Sequence, residues 1–223
     1  MISIRDLRSG ILSIEDLGIA PGVTSVIGAN GSGKTSLLKI LAGISNPEAG
    51  TVLVDGIPPR DCEIGWLGGF PDRNLLFSRV TDEIASPLRF RHMPEGIIRK
   101  RVRDCMDMLG ISALAERRVQ ELSGGEKVMV ALGAALIAGP GLLILDECDS
   151  HLDISRAAEV ERLIRASGIR YIMQSTQQMD AAARSDSLVF MENGRIAHAG
   201  TPEDVFGVLA DTAFYPLSWK CRL

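Results

Sequence analysis

The sequence is poor in aromatic residues and has no closely spaced cysteines. Only 4% of its 223 residues are aromatic, whereas 46% are hydrophobic, so the core has to be mainly aliphatic. Its four cysteines, Cys62, Cys105, Cys148 and Cys221, are widely spaced and form no CxxC pair. Because no secretory signal begins the sequence, we expect reduced thiols in a cytosolic protein.

Long apolar runs and a large net charge are also missing. The longest apolar run, Ala131 to Leu145, is broken at residues 139 to 141 and is shorter than the roughly 18 residues that a membrane-spanning helix needs. The formal net charge is only -4, and the basic stretch "RKRVR" (99 to 103) is more typical of a solvated helix face than of a nucleic-acid site. We expect a chain that neither crosses a membrane by itself nor binds nucleic acid.

Strand patterns lie at both ends of the chain. "ISIRDL" and "ILSIED" alternate apolar and polar residues and predict half-exposed antiparallel strands near the N-terminus. The apolar run at 23 to 28 passes through a glycine-rich turn into a predicted helix at 34 to 41, as a buried central strand does. Further predicted elements are strands at 51–56, 63–68, 142–147 and 171–175, helices at about 154–166 and 178–185, and a hairpin at 188–200 centred on Asn193-Gly194.

A helical period replaces the strand signal between about residues 81 and 138. Four apolar residues of this block fall on one helix face, namely Ile98, Val102, Cys105 and Leu109. Alternating strands and helices on either side of it predict an α/β fold with a mainly parallel sheet, N-terminal antiparallel strands and a helical sub-domain insertion.

The expected organisation is a single domain over residues 1–223. We predict a core at 1–80 and 139–210, a helical sub-domain at 81–138, and a C-terminal tail at 211–223. The tail is unusually rich in aromatic residues for this chain. We expect it to dock on the surface of its own domain, and binding of a partner is the less favoured alternative.

"GANGSGKT", Gly28 to Thr35, matches the phosphate-binding pattern G-x-x-x-x-G-K-[ST] between a strand and a helix. Backbone N–H groups at such a helix N-terminus bind phosphate oxygens. Lys34 is expected to reach the β- and γ-phosphates, and the Thr35 hydroxyl to ligate Mg²⁺. A tight turn that contains GKT by chance is the alternative, but the strand–turn–helix context argues against it. The predicted nucleotide-binding residues are Gly28, Ala29, Asn30, Gly31, Ser32, Gly33, Lys34, Thr35 and Ser36.

Of two further motifs, one ends in two carboxylates and the other marks the N-terminus of a second helix. "LLILDE" (142 to 147) is an apolar strand that ends in two acids; we expect Asp146 to hold Mg²⁺ through its water shell and Glu147 to orient or deprotonate the attacking water. "LSGGE" (122 to 126) directly precedes an apolar helix, with Ser123 as a candidate N-cap.

Four motifs in this order, "GANGSGKT", "LSGGE", "LLILDE" and "SHLD" (150 to 153), make the chain resemble an ATP-binding-cassette (ABC) ATPase over nearly its whole length. The resemblance implies a P-loop NTPase core, ATP and Mg²⁺ as ligands, and a head-to-tail dimer with a second ABC ATPase subunit. It also implies that the signature residues Ser123, Gly124, Gly125 and Glu126 act on the partner's nucleotide. The loop implied to cross the interface is Ser150, His151, Leu152 and Asp153.

The segments "FPDRNLLFSRVTDEI" (70 to 84) and "ENGRIAHAGTPEDVF" (192 to 206) further resemble the cobalt and vitamin importers of the energy-coupling-factor type. This implies a subunit on the cytoplasmic face of the cell membrane that docks on an integral membrane subunit.

The chain departs from the family's pattern at several positions. Gly69 stands where the family has a glutamine that contacts Mg²⁺ and the attacking water, and Gln177 stands in the position of a histidine. Gln177 can still donate an amide hydrogen bond to a γ-phosphate, so we retain it as a catalytic candidate, but it cannot exchange a proton. Cys148 replaces a frequent proline and is expected to be a buried structural thiol. The N-terminal segment also has no aromatic residue to stack on adenine.

These departures predict intact Mg-ATP binding and slowed hydrolysis at this chain's own P-loop. Because the LSGGE motif is intact, we hypothesise a heterodimer in which this subunit is the less active half. A soluble ABC ATPase that acts as a low-turnover switch in DNA repair or translation is the alternative, and salt-dependent binding to nucleic acid would favour it. A P-loop kinase is a third interpretation, against which the "LSGGE" and "SHLD" motifs argue. A contact between His151 and the partner's γ-phosphate is left open.

Overall fold

The computed structural model describes residues 1–70, 72 and 75–220, and the chain divides into two compact units. The first unit comprises Met1–Cys62 and the chain from Arg170 onward, and the second comprises Glu63–Ile169. Cys221 and three residues of the importer-like segment, Pro71, Arg73 and Asn74, lie outside the described residues. The sub-domain boundaries at 81 and 138 stay a prediction.

In chain order the strands are β1 (Ile2–Ser9), β2 (Leu12–Ile19), β3 (Gly22–Ile27), β4 (Ala49–Val54), β5 (Ile64–Leu67), β6 (Leu142–Asp146), β7 (Tyr171–Ser175), β8 (Ser187–Glu192) and β9 (Arg195–Gly200). The α-helices are α1 (Lys34–Leu41), α2 (Val80–Phe90), α3 (Glu95–Met108), α4 (Gly124–Leu136), α5 (Ile154–Ala166), α6 (Met179–Ala182), α7 (Pro202–Val208) and α8 (Leu217–Lys220). Short 3₁₀ helices lie at Pro59–Asp61, Ser112–Leu114, Val119–Glu121 and Cys148–His151.

The first unit contains a three-stranded antiparallel sheet in the order β2-β1-β4. Buried and solvent-facing residues alternate along much of β1 and β2, which is the pattern of strands with one face on a core. The predicted antiparallel strands at the N-terminus are therefore confirmed.

The first unit also contains a second group of strands, in the order β7-β3-β8-β9. β3 pairs in parallel with both β7 and β8, and β9 runs antiparallel to β8. The predicted hairpin is confirmed, because Asn193 and Gly194 link β8 to β9 with φ angles of 48° and 77°, as a two-residue turn with both residues left-handed requires. Parallel pairing brings the carboxyl ends of β3 and β7 to the same sheet edge.

The second unit pairs β5 with β6 in parallel and contains α2, α3 and α4. The four apolar residues predicted to share a helix face are all buried, with exposed fractions of 8% or less for Ile98, Val102, Cys105 and Leu109. A mainly parallel α/β arrangement with antiparallel N-terminal strands and a helical region is thus the fold, as predicted.

One predicted helix is much shorter in the structure. The helix expected at 178–185 is the single turn α6, Met179–Ala182, which is followed by a turn. The Ser185 hydroxyl donates to the carbonyl oxygen of Ala182 at 2.6 Å, and such local side-chain hydrogen bonds compete with helix continuation.

Candidate nucleotide site

The P-loop is built by glycines at the junction of β3 and α1. Gly33 is the N-cap of α1 and is left-handed, with a φ of 105°. Gly28 has a φ of 144°, and a Cβ there would lie 2.2 Å from the backbone oxygen of Met191. Both the backbone angle and the close approach exclude any larger residue at Gly28.

Lys34 and Ser32 direct polar groups into this loop. Lys34 is only 5% exposed, and its ammonium donates to the carbonyl oxygens of Gly28 at 3.0 Å and Ala29 at 3.1 Å. The buried Ser32 hydroxyl has no hydrogen-bond partner among the described residues. Because buried polar groups are almost always satisfied in native proteins, an unpaired hydroxyl at a helix N-terminus fits a loop that takes up a phosphate oxygen.

Gln177 lies beside the P-loop, at the end of β7. Val26 of β3 is paired with Ser175 of β7, so the two strands deliver their following residues to the same edge. The Gln177 amide nitrogen donates to the side-chain oxygen of Asn30 at 3.2 Å. The structure therefore brings together two of the predicted site residues that are 147 positions apart in sequence.

The two carboxylates belong to the second unit, at the end of β6. All five residues of β6 are buried, and Asp146 is 8% exposed. Glu147 follows it in the left-handed conformation, with φ 52° and ψ 31°. That conformation is uncommon for any residue other than glycine, asparagine or aspartate.

Gly69 lies next to these carboxylates in the second unit. A Cβ at Gly69 would be 3.0 Å from the backbone oxygen of Asp146 and 3.4 Å from that of Glu147. A side chain could therefore be added only if the backbone beside it shifted by a few tenths of an ångström. That Gly69 replaces a glutamine of the family stays a prediction, and the structure shows little room for any side chain at this position.

The signature motif begins α4 with a complete capping box. The Ser123 hydroxyl accepts from the N–H of Glu126 at 3.3 Å, and the Ser123 N–H donates to the Glu126 carboxylate at 2.8 Å. Hydrogen bonds from the backbone and side chain of Ser123 lower the pKa of Glu126. Gly124 is exposed. The prediction that Ser123 is an N-cap is thus confirmed, since it caps the N-terminus of the 13-residue helix α4.

The loop at 150–153 adjoins the signature motif. The Ser150 hydroxyl donates to the carbonyl oxygen of Glu147 at 2.9 Å. Leu152 lies against Gly125, since a Cβ at that glycine would be 3.8 Å from a methyl of Leu152. Asp153 caps α5 by accepting from the N–H of Arg156 at 2.8 Å, and the backbone of His151 ends the 3₁₀ helix. The loop at 150–153 and the signature motif are therefore neighbours within the second unit.

The buried thiol at Cys148 agrees with its predicted structural role. It is 8% exposed, and burial, helped by the charge of Asp149, raises its pKa to about 12. A thiol with so high a pKa carries little thiolate at neutral pH and is a poor nucleophile.

The sequence did not predict the hydrogen bond between Gln177 and Asn30, nor a pair of hydrogen bonds between Ser218 and Asp180, called here the Asp180–Ser218 tie. Asp180 accepts two hydrogen bonds from Ser218, at 3.0 Å and 2.6 Å. The aromatic density of the tail was the one signal in the sequence that pointed to this region. Its predicted docking on the domain is confirmed, because Phe214, Tyr215 and Trp219 pack against a buried cluster of the first unit.

A phosphate-binding loop between a parallel strand and a helix, with an acidic strand end elsewhere in the chain, defines a P-loop nucleoside triphosphatase. The model of the family described as ABC transporter matches residues 16–150, and the chain belongs to this family. It is accordingly an ABC ATPase.

Curated relatives and solved structures agree with this assignment. The energy-coupling factor transporter ATP-binding protein EcfA1 of Streptococcus agalactiae is 32% identical over 193 residues, which cover 82% of this chain and 69% of the relative. The biotin transport ATP-binding protein BioM of Rhizobium etli is 36% identical over 177 residues, covering 77% and 79%. The structure of CbiO1 from Clostridium perfringens, part of the ABC transporter complex CbiONQ, superimposes with a TM-score of 0.83 at 28% identity and covers 94% of this chain and 93% of that one.

Proposed function

We propose that this ABC transporter ATPase subunit drives an importer of the energy-coupling-factor type. The names of the similar EcfA1 and BioM proteins support this proposal, as do the importer-like segments at 70–84 and 192–206. The observation that carries the ATPase chemistry is the P-loop itself, with its buried Lys34 and the unpaired Ser32 hydroxyl.

The P-loop residues bind the phosphates of ATP. The N–H groups from Gly31 to Ser36 and the hydroxyl of Ser32 donate to phosphate oxygens, and the Lys34 ammonium exchanges its two carbonyl contacts for β- and γ-phosphate oxygens. Lys34 has a short distance to travel because its ammonium is already held inside the loop by Gly28 and Ala29. The proposed contacts therefore need little rearrangement of the loop.

Hydrolysis requires a base and charge stabilisation around the γ-phosphate. Mg²⁺, when bound with ATP, neutralises charge on the phosphate oxygens, and the Thr35 hydroxyl and Asp146 carboxylate are the groups that we assign to hold it. Glu147 accepts a proton from, or orients, the attacking water. Gln177 donates its amide N–H to the γ-phosphate but cannot carry a proton.

We further propose that this chain's own site turns over slowly. Loss of one preorganised donor at a developing negative charge costs about 10²- to 10³-fold in rate, and replacement by a different donor costs less. Gly69 removes a side chain altogether, whereas Gln177 keeps a donor. Ser123 and Gly124 at the start of α4 are exposed, as are Ser150 and Asp153 of the neighbouring loop. In this proposal the signature residues and the loop at 150–153 contact the nucleotide of a second, more active ABC ATPase subunit.

The proposed location is the cytoplasmic face of the cell membrane, on an integral membrane subunit. Among the described residues, no helix is long and apolar enough to cross a membrane. In this proposal the chain is held at the membrane by its contact with the integral membrane subunit.

The test is ATP turnover by the complex co-purified with its ATPase and membrane subunits. Glu147→Gln in this chain should lower turnover much less than the equivalent change in the second ATPase subunit, because this chain's site contributes the smaller share. Glu203→Gln, on the exposed face of α7, is the matched control and should leave turnover unchanged. Equal losses from the two catalytic changes refute the unequal heterodimer. Brisk ATP-dependent turnover by a homodimer of this chain refutes it as well.

A further inference from the structure

A cavity of about 200 Å³ lies beside the P-loop in the first unit. One wall is formed by the P-loop residues Gly28–Asn30, and a second by Gln177 with Met179. The third wall is formed by two residues of the C-terminal tail, Ala213 and Phe214. The tail thus lines the same cavity as Gln177, whose amide we propose to donate to the γ-phosphate.

A hydrogen-bonded tie joins the tail to the helix that follows Gln177. The Asp180 carboxylate accepts from the backbone N–H of Ser218 at 3.0 Å and from its hydroxyl at 2.6 Å. Asp180 lies in α6, which has only four residues. A helix this short is not stable without tertiary contacts, so the position of α6 depends on the groups that hold it.

Aromatic contacts fix the tail on its other side. The Phe214 ring lies 5.3 Å from that of Phe190, and the Trp219 ring lies 5.5 Å from that of Phe206. Phe190 and Phe206 are 7% and 0% exposed and belong to the core cluster of this unit. The first pair is tilted and the second is edge-on, and aromatic pairs at such distances add to the stability gained by burial. The tail is therefore anchored on the core while it also holds α6.

We propose that tail residues 213–219 are a positioning element for Gln177. Anchored through Phe214 and Trp219, the tail holds α6 by the Asp180–Ser218 tie and keeps the Gln177 amide at Asn30, beside the P-loop. The inference rests on the proposed role of Gln177 in hydrolysis. Asp180 and Ser218 act through Gln177 and do not touch the nucleotide.

The first test measures hydrolysis by the co-purified complex, in which the partner's site has been silenced by mutation of its own catalytic glutamate. Asp180→Ala should lower kcat about tenfold, a fraction of the loss for complete removal of a donor, and should change the KM for ATP by less than about twofold, because ground-state binding stays intact. Asp211→Ala, an exposed carboxylate on the same tail, is the matched control and should change neither value.

A double-mutant cycle shows whether the tie acts through Gln177. In a Gln177→Ala background the Asp180→Ala change should have no further effect on kcat, since the group that it positions is absent. An equal tenfold loss in both backgrounds overturns the proposal.

The second test does not depend on catalysis. Amide hydrogen exchange at residues 177–182 of the nucleotide-free chain should be faster in Asp180→Ala than in the wild type, and unchanged in Asp211→Ala. Unchanged exchange in Asp180→Ala overturns the proposal. If Asp180→Ala fails to fold, Ser218→Ala, which keeps the backbone bond to Asp180, replaces it in both tests and should show a smaller change in the same direction.

The two proposals fail in different ways. A wild-type complex that binds no ATP refutes the proposed function, whatever the tail variants do. A wild-type complex that hydrolyses ATP, with tail variants that match it in kcat and in exchange, refutes the positioning role alone.

Discussion

Glu147 is the residue at which the structure makes the most quantitative prediction. Its φ of 52° and ψ of 31° place an L-residue in the left-handed region, where the contact between Cβ and the following carbonyl oxygen costs about 1–2 kcal/mol. Strain of this kind is concentrated at functional sites, where surrounding structure maintains it. The residue that we propose as the base is therefore held at a cost to the stability of the fold.

Two substitutions separate the backbone cost from the loss of the side chain. Glu147→Ala and Glu147→Gly both remove the carboxylate, but only glycine adopts the left-handed region without strain. Glycine regains about 1–2 kcal/mol and gives up about 0.4–1 kcal/mol through its more flexible unfolded chain. From the middle of each range, we expect Glu147→Gly to be more stable than Glu147→Ala by about 0.8 kcal/mol, which reverses the usual order of the two residues.

Thermal unfolding of the isolated chain measures this difference. For a chain of 150–250 residues, about 2–4 °C of melting temperature corresponds to 1 kcal/mol, so the glycine variant should melt about 1–4 °C above the alanine variant. Both variants should lose hydrolysis, measured by phosphate release in the complex. A melting temperature of Glu147→Ala equal to or above that of Glu147→Gly refutes the strained-backbone argument.

Three further predictions concern the P-loop, the signature helix and the thiols. Lys34→Ala should weaken the binding of a fluorescent ATP analogue by at least about tenfold, because the only buried ammonium of the loop is lost; unchanged affinity contradicts the assigned role. Ser123→Ala should lower the unfolding free energy by about 1 kcal/mol through loss of the N-cap, as measured by urea titration, whereas a change near zero means that the capping box does not stabilise α4. Burial raises the pKa of Cys105 to about 11 and that of Cys148 to about 12, so at pH 8 their thiolate fractions are small and grow only as the pH approaches those values. Iodoacetamide at pH 8, followed by peptide mass spectrometry, should label Cys62 before these two, and faster labelling of Cys148 contradicts its burial.

Strands, turns and helices were predictable from the sequence where the local residue pattern matches the environment that the element occupies in the fold. β6 is apolar up to Asp146 and is buried along its whole length. The Asn193-Gly194 turn determines the β8–β9 hairpin through backbone angles that few other residue pairs adopt. Likewise, α5 has the bounds of 154 and 166 that its pattern predicts. The helix at 178–185 was overestimated because a side-chain hydrogen bond from Ser185 competes with the backbone after Ala182.

The candidate site was predictable at its motifs and not at the contacts between distant segments. Lys34 and Ser123 were identified because phosphate binding and helix capping depend on local spacing. The hydrogen bond between Gln177 and Asn30 and the tie from Asp180 to Ser218 join segments that are 147 and 38 residues apart. No periodicity links such pairs, so only the register of β3 with β7 and the docking of the tail bring them together.

The two positions at which the sequence is predicted to depart from the family's pattern have different physical settings. At Gly69 a side chain of any kind would press on the carbonyl oxygen of Asp146 at 3.0 Å, so restoring the family's glutamine requires the backbone that carries both carboxylates to move. At Gln177 the side chain is exposed and pairs with the amide oxygen of Asn30, which accepts from an imidazole N–H as readily as from an amide. A glutamine at position 69 would therefore require the backbone around Asp146 to move, whereas a histidine at position 177 would change the chemistry of an exposed side chain at a position that has room for it.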